Sequence, residues 1–324
     1  MRSSSYGAEE FCEHQYFLDY TLGISRKANK KAAIGVIVHK ALELLAAKKL
    51  CLQKGEAHLT DESFGDKSLD IKTLNDETVM AYAWRYCTNK FTEYTWEPAD
   101  LKQCCKLLDQ ILSYKDGMFN PLNLSIVSSE QYFDIEIIKP WAHYSYNVNG
   151  KPIEGYLRLR GTIDLIIKHS DTIYEIVDWK TGKYRSNINT GEEKTIDKLL
   201  DDAQLRIYHY AANYLYPDIE EMFVTIFYAQ AGGPFSLPFS KKDLTDTEDL
   251  IRTKFEKIKF NKKPKLIWPH WKCTYLCDYN KQTEDGQTIC KKVEQEVIAL
   301  GLDKVTNKRI NINKLTEYTG GGKY

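Results

Sequence analysis

The chain has 324 residues, of which 43% are hydrophobic, and it carries 45 basic and 45 acidic side chains, so its formal net charge is zero. A chain of this length can bury a large core, and it can form one elaborated domain or two. The balanced charge excludes binding of nucleic acid through overall charge, so a phosphate-binding surface would have to be local.

The ends and the cysteines of the chain indicate a cellular compartment. The first residues lack the apolar stretch of a signal peptide, and no apolar run is long enough to span a membrane. Eight cysteines without a secretory signal indicate reduced thiols or metal ligands and argue against a disulfide framework. We therefore expect a cytoplasmic protein without a membrane partner.

The first third of the chain has helical patterns. Residues 34–50 carry an apolar stripe at helical spacing, formed by Ile34, Val38, Leu42 and Leu45. Further helices are predicted at 8–22, 76–94 and 99–114, whereas the polar stretch 51–75 predicts a loop. His39 lies beside the stripe, where a histidine is more often a surface or core residue than a ligand, so on its own it predicts no site.

Strand patterns dominate the middle of the chain. β-Branched and aromatic runs occupy residues 126–138, 156–168, 172–179 and 222–229, with a helical pattern at 196–216 before the last of them. Strands followed by a crossover helix and a further strand predict an α/β fold, a mixed central β-sheet flanked by helices. We expect one integrated domain with three parts: a helical N-terminal region (1–125), a core (126–240) and a C-terminal helix with a cysteine segment (241–324).

Two acids and a lysine follow the second and third of these strands. Asp164 and Asp178 each end an apolar run, and the turn signal between the runs predicts an antiparallel hairpin that brings both carboxylates together. Side chains two apart on a strand share a face, so Lys180 projects with Asp178. Two carboxylates and an ammonium group can hold a divalent cation and a phosphate between them.

Three further patterns surround this hairpin. Gly35-x-x-x-His39 and Gly161-x-x-Asp164 precede Asp178-x-Lys180-Thr-Gly, and Gln204-x-x-x-Tyr208 follows it on a predicted helix. In this order, the four motifs resemble those of the RecB-type branch of the PD-(D/E)XK nucleases. That branch includes the nuclease domains of helicase–nucleases and the CRISPR-associated adaptation nucleases. The matching motifs extend from the first residues to Cys290.

The resemblance implies a restriction-endonuclease-like core and a role for each motif residue. His39, Asp164 and Asp178 would bind Mg²⁺ or Mn²⁺, and Lys180 would position or activate the attacking water. A histidine ligand favours Mn²⁺, because sites built from oxygen alone suit Mg²⁺ better. Gln204 and Tyr208 would lie beside the site and orient DNA. Glu130, near the start of the first predicted strand, could assist the metal site but is not counted among its ligands.

The cysteines fall into two groups. Cys51, Cys87, Cys104 and Cys105 lie in helical segments, where a buried thiol is the usual state. Cys273, Cys277 and Cys290 are close together in the sequence, and such thiolates commonly share a metal.

The same resemblance implies that Cys12 joins these three cysteines as ligands of a [4Fe–4S] cluster that joins the two ends of the chain. The spacings between the last three cysteines are longer than the family's usual ones. They leave open a zinc site made of His270, Cys273, Cys277 and Cys290, or no metal at all.

A basic segment, residues 252–265, interleaves lysines with aromatic residues, and Trp271 follows it. Phosphate neutralisation and base stacking need these residue types, which makes the segment a candidate DNA contact. The alternative is a solvated helix face.

The motifs together predict a divalent-metal-dependent DNA exonuclease that acts on single-stranded ends in replication, recombination or repair. A helicase or recombination partner is expected, and a freestanding nuclease fits a phage gene. Two alternatives remain: a structure-specific endonuclease, and a non-catalytic DNA-end-binding or adaptation factor.

Overall fold

The fold is known from a computed structural model, which describes residues 3–24, 29–148, 150–183, 195–231, 233–261, 264–267, 270–275, 277–280 and 286–309. The α-helices in these ranges are α1 (Ser3–Phe11), α2 (Glu13–Tyr16), α3 (Lys30–Lys54), α4 (Asp76–Lys90), α5 (Pro98–Leu112), α6 (Ile196–Leu200), α7 (Ala203–Leu215), α8 (Leu244–Phe260), α9 (Trp271–Tyr275), α10 (Ile289–Leu300) and α11 (Leu302–Arg309). The strands are β1 (His58–Thr60), β2 (Ser68–Asp70), β3 (Ile126–Glu136), β4 (His143–Val148), β5 (Lys151–Tyr156), β6 (Arg158–Lys168), β7 (Ile173–Lys180), β8 (Glu221–Tyr228) and β9 (Gly233–Ser240).

A five-stranded sheet is the largest sheet among the described residues, and its strand order is β3-β6-β7-β8-β9. Strands β6 and β7 pair antiparallel, β7 and β8 parallel, and β8 and β9 antiparallel. The parallel pair needs a crossover connection, and α6 and α7 lie in that connection. The prediction of a mixed central sheet flanked by helices is confirmed.

Strand β7 is buried on both faces, as expected for a central strand next to a parallel neighbour. Its residues Val177 and Trp179 belong to an apolar cluster that also contains side chains from α3, α4 and α5. The indole of Trp179 is 3% exposed, and its ring centroid is 5.8 Å from that of Phe227 on β8. Because Asp178 and Lys180 alternate with Trp179 along the strand, they lie on the opposite face.

Helix α3 is longer than the sequence pattern predicts. The Asn29 side chain accepts a hydrogen bond from the Ala32 amide at 2.8 Å and caps the N-terminus. Gly55 ends the helix in the left-handed region, at φ +73°. The polar stretch 51–75, predicted to be a loop, contains the last turn of α3 and a small antiparallel pair, β1 with β2. That prediction was wrong, because each of these strands is too short to give a recognisable alternation.

The structure divides into two compact units that are each discontinuous in sequence. The first unit comprises Met1–Lys27, Asp134–Arg160 and Asp249–Tyr324, and the second comprises Ala28–Phe133 and Gly161–Glu248. In the first unit, a small apolar cluster joins the N-terminal segment to the C-terminal helices through Phe17, Leu18, Leu22, Tyr279, Val293 and Val305. None of the helices in the described ranges is both long and apolar enough to cross a bilayer.

A buried histidine on α7 makes the stability of the second unit depend on pH. His209 is fully buried, with Nδ1 3.0 Å from Thr247 Oγ1 and Nε2 3.2 Å from the Ser240 carbonyl oxygen. Burial lowers the pKa of His209 to about 4, against an ordinary value of 6.5. Between these values the unfolded chain binds a proton that the folded chain does not, so stability is lost as the pH falls from 6.5 towards 4.

We expect the free energy of unfolding to fall by up to about 3 kcal/mol over this range through His209, in proportion to the pKa difference. Urea unfolding at a series of pH values should show a shallower dependence in His209→Gln than in the wild type. His58→Gln, which changes an exposed imidazole, is the matched control and should keep the wild-type slope. Equal slopes in all three proteins would exclude His209 as the titrating group.

Candidate active site

The β6–β7 hairpin places Asp164 and Asp178 next to each other. Leu165 is paired with Val177 in the antiparallel register, and the two acids are the next residues beyond this pair. The backbone amide of Trp179 donates a hydrogen bond to Asp164 Oδ2 at 2.9 Å, which links the two strand ends. The juxtaposition expected from the sequence is therefore present in the structure.

Asp178 is buried, with 2% of its surface exposed. Its Oδ1 atom accepts hydrogen bonds from Gln204 Nε2 at 3.0 Å and from the Tyr208 hydroxyl at 3.3 Å. Its Oδ2 atom forms an ion pair with Lys180 Nζ at 2.6 Å. Burial raises the pKa of Asp178, and the charge of Lys180 opposes that rise.

Lys180 lies between Asp178 and Gln204, whose Oε1 atom accepts a hydrogen bond from Nζ at 3.4 Å. Burial alone would lower the pKa of Lys180, but the charge and hydrogen bond of Asp178, together with the charges of Asp164 and Asp202, outweigh burial and the pKa is raised. The side chain is therefore an ammonium ion at neutral pH. It can donate hydrogen bonds and offset negative charge, but it cannot accept a proton from water.

Helix α7 supplies Gln204 and Tyr208 from one face, because they are four residues apart. The Asp202 side chain accepts a hydrogen bond from the Gln204 amide at 2.8 Å and fixes the start of the helix. Gln204 Nε2 also donates to the Tyr208 hydroxyl at 2.7 Å. Burial and nearby Asp178 raise the pKa of Tyr208 far above its ordinary value, so the hydroxyl stays protonated and donates.

Tyr208 is 3% exposed, and its ring packs edge-on against Phe133. A base could not stack on this ring without displacing its neighbours. The expectation that Tyr208 contacts DNA directly therefore does not fit its position. In this structure its hydroxyl holds the carboxylate of Asp178.

A second set of ligand atoms lies beside Asp164. His39 Nδ1 is 3.4 Å from Asp164 Oδ2, and one ligand atom each from His39, Glu130 and Asp164 lie within 4.8 Å of one another. In the described part of the chain, no other histidine, cysteine, aspartate or glutamate side chains form a group of three this close. An imidazole nitrogen with two carboxylates is a donor set that suits a divalent cation such as Mn²⁺.

Glu130 was not assigned from the sequence, and the reason is its backbone. It lies within β3 at φ +50°, a left-handed conformation that costs a non-glycine residue about 1 kcal/mol. This kink departs from the alternation of a regular strand, on which the sequence analysis relied. Burial, with the nearby charges of Asp164 and Glu43, raises the pKa of Glu130 to about 8.

Two motif glycines allow close packing at this site. A Cβ atom at Gly35 would lie 2.8 Å from Thr181 Oγ1, so glycine lets α3 approach the residue after β7. A Cβ atom at Gly161 would lie 2.6 Å from Cζ of Phe133. Both distances are shorter than real Cβ atoms show to their neighbours. Close packing is therefore a reason for glycine at both positions, in addition to the motif.

The four cysteines outside the helical group belong to the first unit. Cys12 and Cys273 are buried, and Cys277 and Cys290 are partly buried against the apolar cluster described above. Burial, followed by the charges of the other three thiols, raises the pKa of Cys290 to about 12. Burial and neighbouring thiols also raise the pKa values of Cys273 and Cys277. The four thiols are therefore near enough to interact.

The thiols are nevertheless more widely spaced than the ligands of one small ion. Within the described ranges, no three of the four sulfur atoms, and no pair of them with a nitrogen of His270, lie within 4.8 Å of one another. His270 Nδ1 accepts a hydrogen bond from the Lys272 amide at 3.2 Å. Trp271 is partly buried at the start of α9 in the first unit, and its assignment as a DNA contact stays a prediction.

Comparison with known proteins gives the family. The model of the PD-(D/E)XK nuclease superfamily matches residues 4–282. The chain belongs to this superfamily. PD-(D/E)XK nucleases use divalent metals, and the group of His39, Glu130 and Asp164 offers such a metal a site.

Two solved structures are also similar to this PD-(D/E)XK nuclease. One is a candidate exonuclease from Eubacterium rectale, with 12% identity over 88% of this chain and 91% of that chain and a TM-score of 0.46. The other is SSO0001, with 18% identity over 62% of this chain and 80% of that chain and a TM-score of 0.26. Among curated proteins, no sequence is similar enough to count as a match. The assignment rests on the family match.

Glu130 leads to a prediction for the metal-free protein. Its folded pKa of about 8 lies above its ordinary value of 4.5, so the folded state holds an extra proton between these values and stability falls as the pH rises through them. A divalent cation replaces that proton. We expect Mn²⁺ to raise the melting temperature by about 5 °C more at pH 8 than at pH 6.

In Glu130→Gln this pH-dependent difference should disappear. Glu136→Gln, on an exposed position of the same strand, is the matched control. Thermal unfolding with and without Mn²⁺ measures both effects. An unchanged Mn²⁺ response in Glu130→Gln would show that this carboxylate does not bind the ion.

Proposed function

We propose that the chain is a divalent-metal-dependent DNA exonuclease of the RecB-type branch, which hydrolyses phosphodiester bonds from single-stranded ends in replication, recombination or repair. The observation that carries the proposal is the 2.6 Å ion pair between Lys180 and Asp178 beside the group of His39, Glu130 and Asp164. Intact acids and an intact lysine argue against a non-catalytic end-binding or adaptation factor. Residues 1–125, 126–240 and 241–324 would form one integrated nuclease.

In this proposal His39, Asp164 and Asp178 hold the cation, with Glu130 as an additional ligand. The donor atoms fit, because those of His39, Glu130 and Asp164 combine an imidazole nitrogen with carboxylate oxygens. Beside them, Oδ2 of Asp178 is paired with Lys180, whereas Gln204 and Tyr208 bind the other oxygen of that carboxylate. The imidazole favours Mn²⁺ over Mg²⁺. A divalent cation bound there polarises the phosphodiester and lowers the pKa of the attacking water.

The protein's own groups complete the chemistry. As an ammonium ion, Lys180 orients the attacking water and offsets the negative charge that develops on the phosphorus oxygens. Gln204 and Tyr208 hold Oδ1 of Asp178, which leaves Oδ2 for Lys180 and the cation. These two residues are therefore proposed to position the acid. No covalent intermediate with the protein is needed.

We propose a [4Fe–4S] cluster at Cys12, Cys273, Cys277 and Cys290. Support comes from their burial and mutual interaction in one unit. A tetrahedral zinc site with Zn–S bonds of about 2.3 Å would hold its sulfur atoms about 3.8 Å apart. Within the described ranges, no three of these sulfur atoms lie within 4.8 Å of one another, and the zinc site that uses His270 is kept as the alternative.

The proposed setting is the cytoplasm, in which thiols stay reduced. All eight cysteines are free, as expected in such a compartment. A helicase or recombination partner, a phage source and the contact of Trp271 with DNA remain predictions from the sequence.

The catalytic assignment is tested by substitution. Asp164→Ala and Lys180→Ala should each lower the cleavage rate by at least about a hundredfold, because they remove a metal ligand or a charge directed at the phosphate. DNA binding should largely survive the lysine change. The matched controls, Asp171→Ala and Lys168→Ala, change an acid and a lysine elsewhere in the same hairpin and should keep wild-type rates. Wild-type cleavage by Asp164→Ala with Mn²⁺ would overturn the assignment.

Digestion of end-labelled linear and circular single strands with Mn²⁺, Mg²⁺ or EDTA distinguishes an exonuclease from an endonuclease. An exonuclease should degrade the linear strand with either metal, leave the circle intact and be inactive in EDTA. Rapid cutting of circles would instead establish the structure-specific endonuclease.

For the cysteines, we expect protein purified without oxygen to be brown and to contain about four irons and four sulfides per chain. Cys12→Ser should remove the colour and lower the melting temperature, because a cluster that joins the chain ends constrains the unfolded state. Cys105→Ser, at an exposed thiol, is the control. Colourless protein with one zinc, sensitive to His270→Ala but not to Cys12→Ser, would favour the zinc site.

A further inference from the structure

A groove in the second unit lies between α4 and the segment around β2. Its volume is about 800 Å³, and it is open to solvent. Three cationic side chains line it: Lys67, Arg85 and Lys90. None of them belongs to the motifs that point to the active site.

Helix α4 builds one wall of the groove with a single face. Tyr82, Arg85, Tyr86 and Lys90 follow each other at spacings of three, one and four residues, so they share that side of the helix. The buried side chains of α4, among them Val79 and Ala83, belong to the apolar core, and the rings of Tyr82 and Tyr86 pack against that core. The groove is therefore supported by a helix that packing holds in place.

Two of the three cations rest on aromatic rings. The Arg85 guanidinium lies 5.1 Å from the ring centroid of Tyr82, and Lys90 Nζ lies 5.6 Å from that of Tyr86. Such contacts are attractive and restrict the side chain without neutralising it. Both charges are thus partly oriented before a ligand arrives.

The cations lack acidic partners among the described residues. No carboxylate in those ranges lies within the 4.0 Å ion-pair distance of Lys67, Arg85 or Lys90. Glu62 is the one acid among the described residues that line the groove, against three cations; Lys40 Nζ lies 3.9 Å from it and also pairs with Glu43 and Asp61, each at 3.0 Å. In a chain of zero net charge, the groove is a local region of positive charge.

Lys40 lies close both to a residue that lines the groove and to the acids proposed to bind the metal. It is the residue after His39 on α3, its Nζ lies 5.5 Å from the ring centroid of Tyr86, and it pairs with Glu43 at 3.0 Å. Glu43 and Lys40 both act on the pKa of Glu130. The groove and the acid cluster are therefore neighbours in the same unit.

A polyanionic substrate meets repulsion from the acids of the active site, so a nearby cationic surface is needed to hold it. We propose that Lys67, Arg85 and Lys90 bind the phosphate backbone of a single-stranded DNA segment that continues from the segment at the catalytic acids. This inference rests on the proposed nuclease function. Phosphate contacts of this kind add affinity without sequence preference.

The test compares three proteins: the wild type, a groove variant (Lys67→Ala, Arg85→Ala, Lys90→Ala) and a control variant (Lys72→Ala, Lys102→Ala, Lys106→Ala). The control removes the same formal charge from exposed positions outside the groove. Fluorescence anisotropy measures the Kd for labelled single strands of about 5 to about 25 nucleotides over a series of salt concentrations. Divalent cations are removed, so that the strands stay intact.

We expect the groove variant to bind the longer strands at least about tenfold more weakly, and the slope of log Kd against log salt to fall by about 2, because three phosphate contacts are lost. The shortest strands, which reach only the catalytic acids, should bind both variants alike. The control should bind as the wild type does. Wild-type affinity and slope in the groove variant would overturn the inference.

Measurements of cleavage then distinguish failure of this inference from failure of the proposed function. With Mn²⁺ and saturating DNA, the groove variant should cut at the wild-type single-turnover rate, because its changes lie outside the catalytic group. If the wild type binds DNA through the groove but does not cut it, the proposed nuclease function is wrong and the inference about the groove is supported. If the wild type cuts DNA and the groove variant binds it normally, the inference about the groove is wrong and the proposed nuclease function is kept.

Discussion

The crowding of carboxylates at the end of the β6–β7 hairpin is the constraint on which the site depends. Glu130, Asp164 and Asp178 lie in a partly dehydrated region, where each negative charge raises the free-energy cost of placing another negative charge beside it. Lys180 offsets part of this cost through its ion pair with Asp178, and protonation of Glu130 offsets another part. A divalent cation would offset more of it, since its two positive charges would replace the proton that Glu130 otherwise holds.

The three acids differ in how firmly they are held. Asp178 is buried, and Gln204, Tyr208 and Lys180 leave its carboxylate little freedom to rotate. Asp164 is held by one backbone amide, and it lies on the side of His39 and Glu130, where all three side chains are partly exposed. A rigid acid next to a more open pair is an arrangement in which a cation can enter from solvent and find one ligand already in place. Helix α7 supplies that rigidity, because two of the three contacts to Asp178 come from it and its Gln204 also contacts Lys180.

The sequence predicts the features that depend on local periodicity and fails where the backbone departs from it. The hairpin with Asp164 and Asp178 is predicted correctly because apolar runs and a turn define the pairing, and α7 because Gln204 and Tyr208 share a helical face. The position of Tyr208 under the acid depends on its packing against Phe133, a contact between distant segments that no spacing reveals. Glu130 reaches the metal-binding group through a left-handed backbone at one position, and β1 and β2 are too short to show alternation.

The first unit includes segments from the two ends of the chain. Its segments from the two ends of the chain meet through a small buried cluster and through polar contacts, such as the hydrogen bond from the Lys265 amide to Glu13 at 3.0 Å. Lys257 pairs with the buried carboxylate of Glu9 at 2.6 Å. Cys12 on one segment and Cys273, Cys277 and Cys290 on the other are therefore well placed for a structural crosslink. Since the side chains proposed to be catalytic all belong to the second unit, a cluster at these thiols would act on the folding of the first unit and leave the proposed phosphodiester chemistry to the acids and Lys180.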